Sequence, residues 1–285
     1  MYLGIDIGTS AVKAAVIDAN GLLIESASAP LSVSRPHPLW SEQNPMDWWA
    51  ATESAIGNLS MSARRSIRAI GLAGQMHGAT LLDRERRVLR PAILWNDGRS
   101  AAQCLELEQT FPSMLQITGN RAMPGFTAPK LLWVRAHEPQ IFEKIDLVLL
   151  PKDYVRLLMT GDAASDMSDS AGTLWLDVAK RSWSSAMLSA TGLELSQMPT
   201  LFEGNQITGN LCADVADRWG MQRVPVVAGG GDNAAGAVGV GVVRAGESFL
   251  SLGTSGVFFL ANDGYRPNPS GGVHTFCHAL PNQWH

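Results

Sequence analysis

The sequence predicts an α/β fold, and three observations point to it. The chain opens as strand, turn, strand, turn, strand. It then alternates β-prone runs with helical ones, and the plan of its first strand and turn returns near residue 250. Such an opening is a β-meander, unlike the βαβ start of a dinucleotide-binding fold. Tyr2–Ile7 is β-prone and stops at Gly8-Thr9-Ser10. Residues 11–18 resume the strand pattern, Ala19-Asn20-Gly21 is a turn signal, and residues 22–28 run on as a third strand. A Pro-rich loop over 35–45 ends at Asn44, an N-cap residue with Pro45 at the first helical position, so a helix is predicted from there towards Leu59. Residues 68–73 read as a buried strand closed by Gly74-Gln75-Met76-His77-Gly78. Residues 79–83 form another strand, and Ile93-Leu94-Trp95 leads into Asn96-Asp97-Gly98-Arg99. Helices are predicted over 99–110, 128–137, 152–159 and 183–190, with polar loops such as 162–172 between them. A β-branched strand over 224–228 enters Gly229-Gly230-Gly231-Asp232-Asn233, and a small-residue helix follows over 234–242.

The restart repeats the opening. Leu3-Gly4-Ile5-Asp6-Ile7-Gly8-Thr9-Ser10 and Leu250-Ser251-Leu252-Gly253-Thr254-Ser255 share one plan, a short strand running into a Gly-Thr-Ser turn. Two copies near the two ends suggest two related domains facing one another, the first over 1–245 and the second beginning at 246. Only about forty residues follow that point, too few for a domain with its own core, so the chain is expected to stop inside its second domain.

Composition narrows the function. With 46% hydrophobic and 17% charged residues, the chain can build a sizeable core. A net charge of −4 without a basic stripe argues against nucleic acid. Three widely spaced cysteines (Cys104, Cys212, Cys277) form neither a disulfide framework nor a zinc pattern and suit a reducing compartment. The start lacks the pattern of a signal peptide, and the most apolar stretch, residues 224–243, is broken by Asp232, Asn233 and glycines. A soluble cytoplasmic protein is expected.

Three segments carry chemistry. In Asp6-Ile7-Gly8-Thr9-Ser10, a Gly bend lets backbone N–H groups approach an anion, the hydroxyls add donors, and the carboxylate can hold Mg²⁺ directly or through water. The plain alternative is a hairpin turn with Asp6 solvated. The second copy, Gly253-Thr254-Ser255, favours a polyphosphate clasped from two sides. Asp232 lies near a helix N-terminus, where the dipole favours the ionised form that a base needs, and Asn233 suits a neighbouring hydroxyl. A simple helix cap, or a dinucleotide turn formed by Gly229, Gly231 and Ala234 with Glu247, competes with that reading. Gln75 and His77 follow a strand end with Met76 as an apolar wall. Trp95, Asn96, Asp97 and Arg99 offer an aromatic face with polar groups, or else a turn closed by an Asp97–Arg99 pair. There is no P-loop, no HExxH and no EF-hand spacing, so a metal is expected only with a nucleotide.

Taken in order, these five segments resemble the FGGY family of carbohydrate kinases over the whole chain. Within that family Gln75-Met76-His77-Gly78, Trp95-Asn96-Asp97-Gly98-Arg99 and the Gly229 to Asn233 run look most like the bacterial members that act on xylulose. The resemblance implies an actin-like ATPase, ribonuclease-H-like architecture with a cleft between two domains, the first complete and the second only begun. It implies transfer of the γ-phosphoryl of MgATP to the 5-hydroxyl of D-xylulose. Asp232 would take the proton from that hydroxyl, and Asp6 would organise Mg²⁺ and the phosphates. Gly8, Thr9 and Ser10 would form the first phosphate loop and Gly253, Thr254 and Ser255 the second. Met76, His77 and Asn233 would line the sugar site, with Trp95, Asp97 and Arg99 in support. Family members continue past the position of His285 and carry adenosine-holding segments there. The expected partners are thus D-xylulose and MgATP, with a homodimer as the candidate assembly and neither nucleic acid nor membrane. Two other readings stand beside this one: a pentulose-binding half-kinase without catalysis, and a nicotinamide-dependent oxidoreductase built on the Gly229 turn.

Overall fold

A computed structural model describes residues 1–252 and 256–285. Its main sheet has seven strands. The order across it is Ile207–Asn210, Pro225–Val227, Ala69–Gly74, Tyr2–Ile7 (β1), Ala11–Ile17 (β2) and Leu23–Pro30 (β3), and the short strand Gly230–Gly231 also pairs with Ala69–Gly74. The meander β1–β2–β3 is antiparallel, as the turn signals predict. Ala69–Gly74 runs parallel to β1, to Pro225–Val227 and to Gly230–Gly231.

Strict alternation explains how the sheet packs. Leu3, Ile5 and Ile7 of β1, Val12, Ala14 and Val16 of β2, and Ile70 and Leu72 are buried on one face. Against that face lie the helix Pro45–Gly57 (α1) and the helix Pro151–Thr160. Asn44 caps α1 as predicted, its side chain accepting from the Met46 N–H at 3.2 Å. Trp48, wholly enclosed, anchors this core, and each such side chain contributes about 1.5–3 kcal/mol by leaving water. A second core around Leu131, Trp133 and Trp175 joins the helices Ala101–Thr110, Thr127–His137 and Ser185–Thr191. The opposite face of the sheet, with Tyr2, Gly4 and Asp6, is left more open. A cavity of about 610 Å³ lies along it, lined by Gly4, Asp6, Lys13, Ala15, Gly71 and Val238 among others.

Three expectations are corrected. Residues 162–172 are not a solvated loop: they form the strand Ala164–Asp166 and the helix Met167–Ala171, both buried throughout. Their acids share one cation from another part of the chain: the Lys152 ammonium lies 2.7 Å from Asp166, beside Asp153, and 3.6 Å from Asp169, whose pKa burial raises. The helix expected over 183–190 starts two residues later, because Trp183 joins a short strand and Ser184 caps Ser185–Thr191. The helix expected over 234–242 is Asp232–Gly239, so Asp232 is its first residue.

Ser248–Leu252 pairs antiparallel with Gly256–Leu260 in a separate two-stranded sheet. The expected second phosphate loop, Gly253, Thr254 and Ser255, lies outside the described residues. From Asn262 the chain returns to the first part of the molecule. There Trp284 Nε1 donates to the Val178 carbonyl, and Asn120 Nδ2 donates to the Thr275 carbonyl. Among the described residues no helix is long and apolar enough to cross a membrane.

Candidate active site

Three chain segments end at one edge of the sheet because Ala69–Gly74 is the shared partner of two strands. Ile7 pairs with Gly74 on one side and Gly231 pairs with Gly74 on the other. The bends Gly8-Thr9-Ser10, Gln75-Met76-His77 and Asp232-Asn233 therefore emerge together at the carboxyl ends of parallel strands, where open α/β sheets bind ligands.

The first bend is tight. The Gly8 N–H donates to the Ala11 carbonyl at 3.1 Å, and a Cβ on Gly8 would come within 2.9 Å of that same oxygen. The Gly8 amide is thus occupied inside the turn. The Thr9 hydroxyl is occupied as well: it donates to Gln75 Oε1 and accepts from Trp95 Nε1, both at 3.0 Å. Gln43 completes the frame, donating to the Thr9 carbonyl and accepting from Gln75 and from Trp48. The expectation that Gly8 and the Thr9 hydroxyl donate to an anion is corrected accordingly. The donors left without a partner, among the described residues, are the N–H groups of Thr9 and Ser10.

Asp6 and Asp232 face the cleft as two carboxyls close enough to repel. Burial raises the pKa of Asp6, and Lys13 offsets part of that rise. Asp232 is pushed up to about 6, chiefly by the protein packed around its carboxyl and further by the charge of Asp6. The Asn233 N–H (2.7 Å) and side-chain amide (3.1 Å) donate to Asp232 Oδ1 and pull the other way. The helix terminus was expected to favour the ionised form, but desolvation prevails. A pKa of about 6 leaves the group mainly ionised at neutral pH and near the optimum for a base. The loop that carries it is closely fitted. Gly229 has φ +83° with the Leu72 carbonyl against it, and the Gly231 N–H donates to Ser168 Oγ at 3.1 Å.

His77 adopts φ +69°, uncommon for a residue with a side chain. Lys130 Nζ (2.8 Å) and Thr127 Oγ1 (3.2 Å) both donate to its carbonyl and hold that conformation. Its Nδ1 lies 2.8 Å from the Gly172 carbonyl. A carbonyl can only accept, so Nδ1 carries the proton and Nε2 presents a lone pair. Burial, with the Lys130 charge in addition, lowers the His77 pKa to about 3, so the ring stays neutral at physiological pH. Met76 is buried between His77 and the Gly231 turn.

The remaining expectations divide. Trp95 is 44% exposed and presents its face beside Thr9. Asp97 and Arg99 are not available to a ligand: their side chains are 0% and 1% exposed. They form a bidentate pair at 2.9 and 2.7 Å, Arg99 also meets Glu42 at 2.7 Å, and its guanidinium lies 3.7 Å over the Trp40 ring. Asp97 Oδ2 accepts from the Ser41 N–H. The dinucleotide alternative also falls, because Glu247 caps the Val243 and Arg244 amides at 2.8 Å. Sequence reasoning missed Lys130, Gly172, Phe126 and the Lys152 cluster, all brought in from distant parts of the chain.

Comparison with known proteins supplies relatives for the chain. Residues 1–239 match the profile of the N-terminal domain of the FGGY family of carbohydrate kinases. The chain is 61% identical to the xylulose kinase of Escherichia coli K12, covering 100% of this chain and 59% of that protein. To the xylulose kinase of Bacillus subtilis 168 it is 42% identical, covering 97% and 56%. The crystal structure of a xyloylose kinase from Brucella ovis superposes with a TM-score of 0.97 at 54% identity, covering 99% of this chain and 59% of the other. The chain thus spans just under three fifths of the length of these relatives.

Proposed function

The chain belongs to the FGGY family of carbohydrate kinases, with the actin-like ATPase architecture of that family, and from that premise we propose that it serves the transfer of the γ-phosphoryl group of ATP to the 5-hydroxyl of D-xylulose. The observation that carries the proposal is Asp232: a carboxylate without a cation partner among the described residues, held near neutrality, at the same sheet edge as the Gly8-Thr9-Ser10 bend and the neutral His77.

In this reading the 5-hydroxyl gives its proton to Asp232 as its oxygen bonds to the γ-phosphorus and the bond from that phosphorus to the β,γ-bridging oxygen breaks, so that ADP leaves. Asn233 fixes the Asp232 carboxylate through two hydrogen bonds. His77 Nε2 accepts from a second sugar hydroxyl, Met76 closes the pocket on its apolar side, and Trp95 offers an aromatic face. The residues present fit Mg²⁺ and a polyphosphate. Asp6 is an anionic oxygen donor at the bend, and the Thr9 and Ser10 amides are unpartnered donors beside it. MgATP, when bound, supplies the phosphoryl group and the metal charge that neutralises it.

The test measures ADP release from this chain with MgATP, with and without D-xylulose, next to tryptophan fluorescence titrated with the sugar. Sugar-stimulated ADP release supports the full proposal. A fluorescence change without ADP supports a second reading, pentulose binding without transfer, which the 59% coverage of the relatives favours. Silence in both from folded protein refutes the site.

A further inference from the structure

Behind His77 lies a second histidine, brought in from the far end of the chain. The His77 ring packs 4.7 Å from Phe126, and the His274 ring packs 5.2 Å from Phe126. The two imidazoles are thus both in contact with one aromatic ring. His274 is exposed, so it is open to a ligand.

The protonation of His274 follows from its partner. Its Nδ1 lies 3.0 Å from Asn120 Oδ1. The orientation of the Asn120 amide is settled by three contacts: Nδ2 donates to the Thr118 and Thr275 carbonyls, and the Thr275 N–H donates back to Oδ1. Because Oδ1 can only accept, His274 Nδ1 is the donor. The aromatic rings packed on part of the His274 side chain desolvate it and lower its pKa, so the neutral form dominates and Nε2 carries a lone pair. His77 and His274 therefore repeat one device, with Nδ1–H tied to a protein oxygen and Nε2 left as an acceptor.

Position gives the second histidine its task. Asp232 follows Gly231, which lies against Met76; Met76 precedes His77, and Phe126 and His274 come next. A sugar lying along this row with its 5-hydroxyl at Asp232 would have its opposite end towards His274. We propose that His274 is a specificity-determining residue that reads the 1-hydroxyl of the pentulose through Nε2. An acceptor cannot pair with the keto oxygen at C2, whereas the hydroxyl on C1 is a donor. This inference rests on the pentulose reading above.

The test compares binding of D-xylulose and 1-deoxy-D-xylulose, which lacks the 1-hydroxyl, to this chain. Wild-type protein should prefer D-xylulose by about three- to tenfold, the span of one neutral hydrogen bond. His274→Phe keeps the aromatic packing on Phe126 and should bind both sugars alike, at the wild-type affinity for the deoxy sugar. His274→Ala should do the same, with thermal melts confirming that both variants fold. An unchanged preference in folded His274→Phe overturns the assignment, as does wild-type protein that binds both sugars equally. Wild-type protein that binds neither sugar overturns the pentulose reading itself, and this assignment with it.

Discussion

Two regions of the molecule use the same residue types to opposite ends. Around Glu42, Asp97, Arg90 and Arg99, carboxylates and guanidinium groups are enclosed together, each anion facing a cation at 2.5–2.7 Å. At the sheet edge, Asp6 and Asp232 have no ion-pair partner among the described residues, and burial raises both pKa values. Where charges are matched, they hold the loop after Leu94 against Ser41 and Trp40. Where they are unmatched, a carboxylate keeps its basicity for a ligand. Uncompensated charge marks the site better than residue type does, which is why Asp97 and Arg99 resembled ligand residues in the sequence and are not.

The comparison can be broken at either end. The largest effect is expected at the unmatched end: Asp232→Ala should lower sugar-stimulated ADP release by on the order of 10²–10⁴, with the melting temperature unchanged or raised. At the matched end, Arg99→Met leaves Asp97 without a cation and Glu42 with Arg90 alone, and should cost about 3–5 kcal/mol in urea unfolding.

Acidity sharpens the contrast. The folded pKa of Asp232, about 6, lies above its unfolded value, so ionising it opposes folding. That penalty is complete above pH 6 and is relieved as pH falls through 6 towards 4. Wild-type protein should therefore gain stability relative to Asp232→Asn over that window, measured as a difference of urea midpoints. Sugar-stimulated turnover should run the other way, rising with pH through about 6 as the base ionises. The smallest effect is expected from Trp95→Phe, which removes the hydrogen bond to Thr9 and should cost about 0.5–1.5 kcal/mol by urea unfolding.

Much of the fold was legible because it is written locally. Alternation in β1 and β2, Asn44 before Pro45, and glycines at strand ends each follow from neighbouring residues. The residues that gather at the sheet edge, Asp6, Met76, His77, Asp232 and Asn233, were legible for the same reason. Residues 162–172 misled because a run of Asp and Ser reads as solvated, and nothing near it announces that Lys152 will lie against it. Lys130 likewise reads as a surface lysine of a helix, and its bond to the His77 carbonyl exists only once the two segments meet. The Thr9 hydroxyl looked free because its partners, Gln75 and Trp95, lie 66 and 86 residues away.

The strand Ala69–Gly74 is also a length standard. It separates β1 from Gly230–Gly231 by two inter-strand spacings, so the backbones that carry Asp6 and Asp232 stand about 10 Å apart. Backbone hydrogen bonds on both sides fix that gauge, leaving only side-chain rotation to adjust it. A single residue inserted into this strand would shift its register against both neighbours at once and put the base and the phosphate bend out of alignment, although neither had been altered.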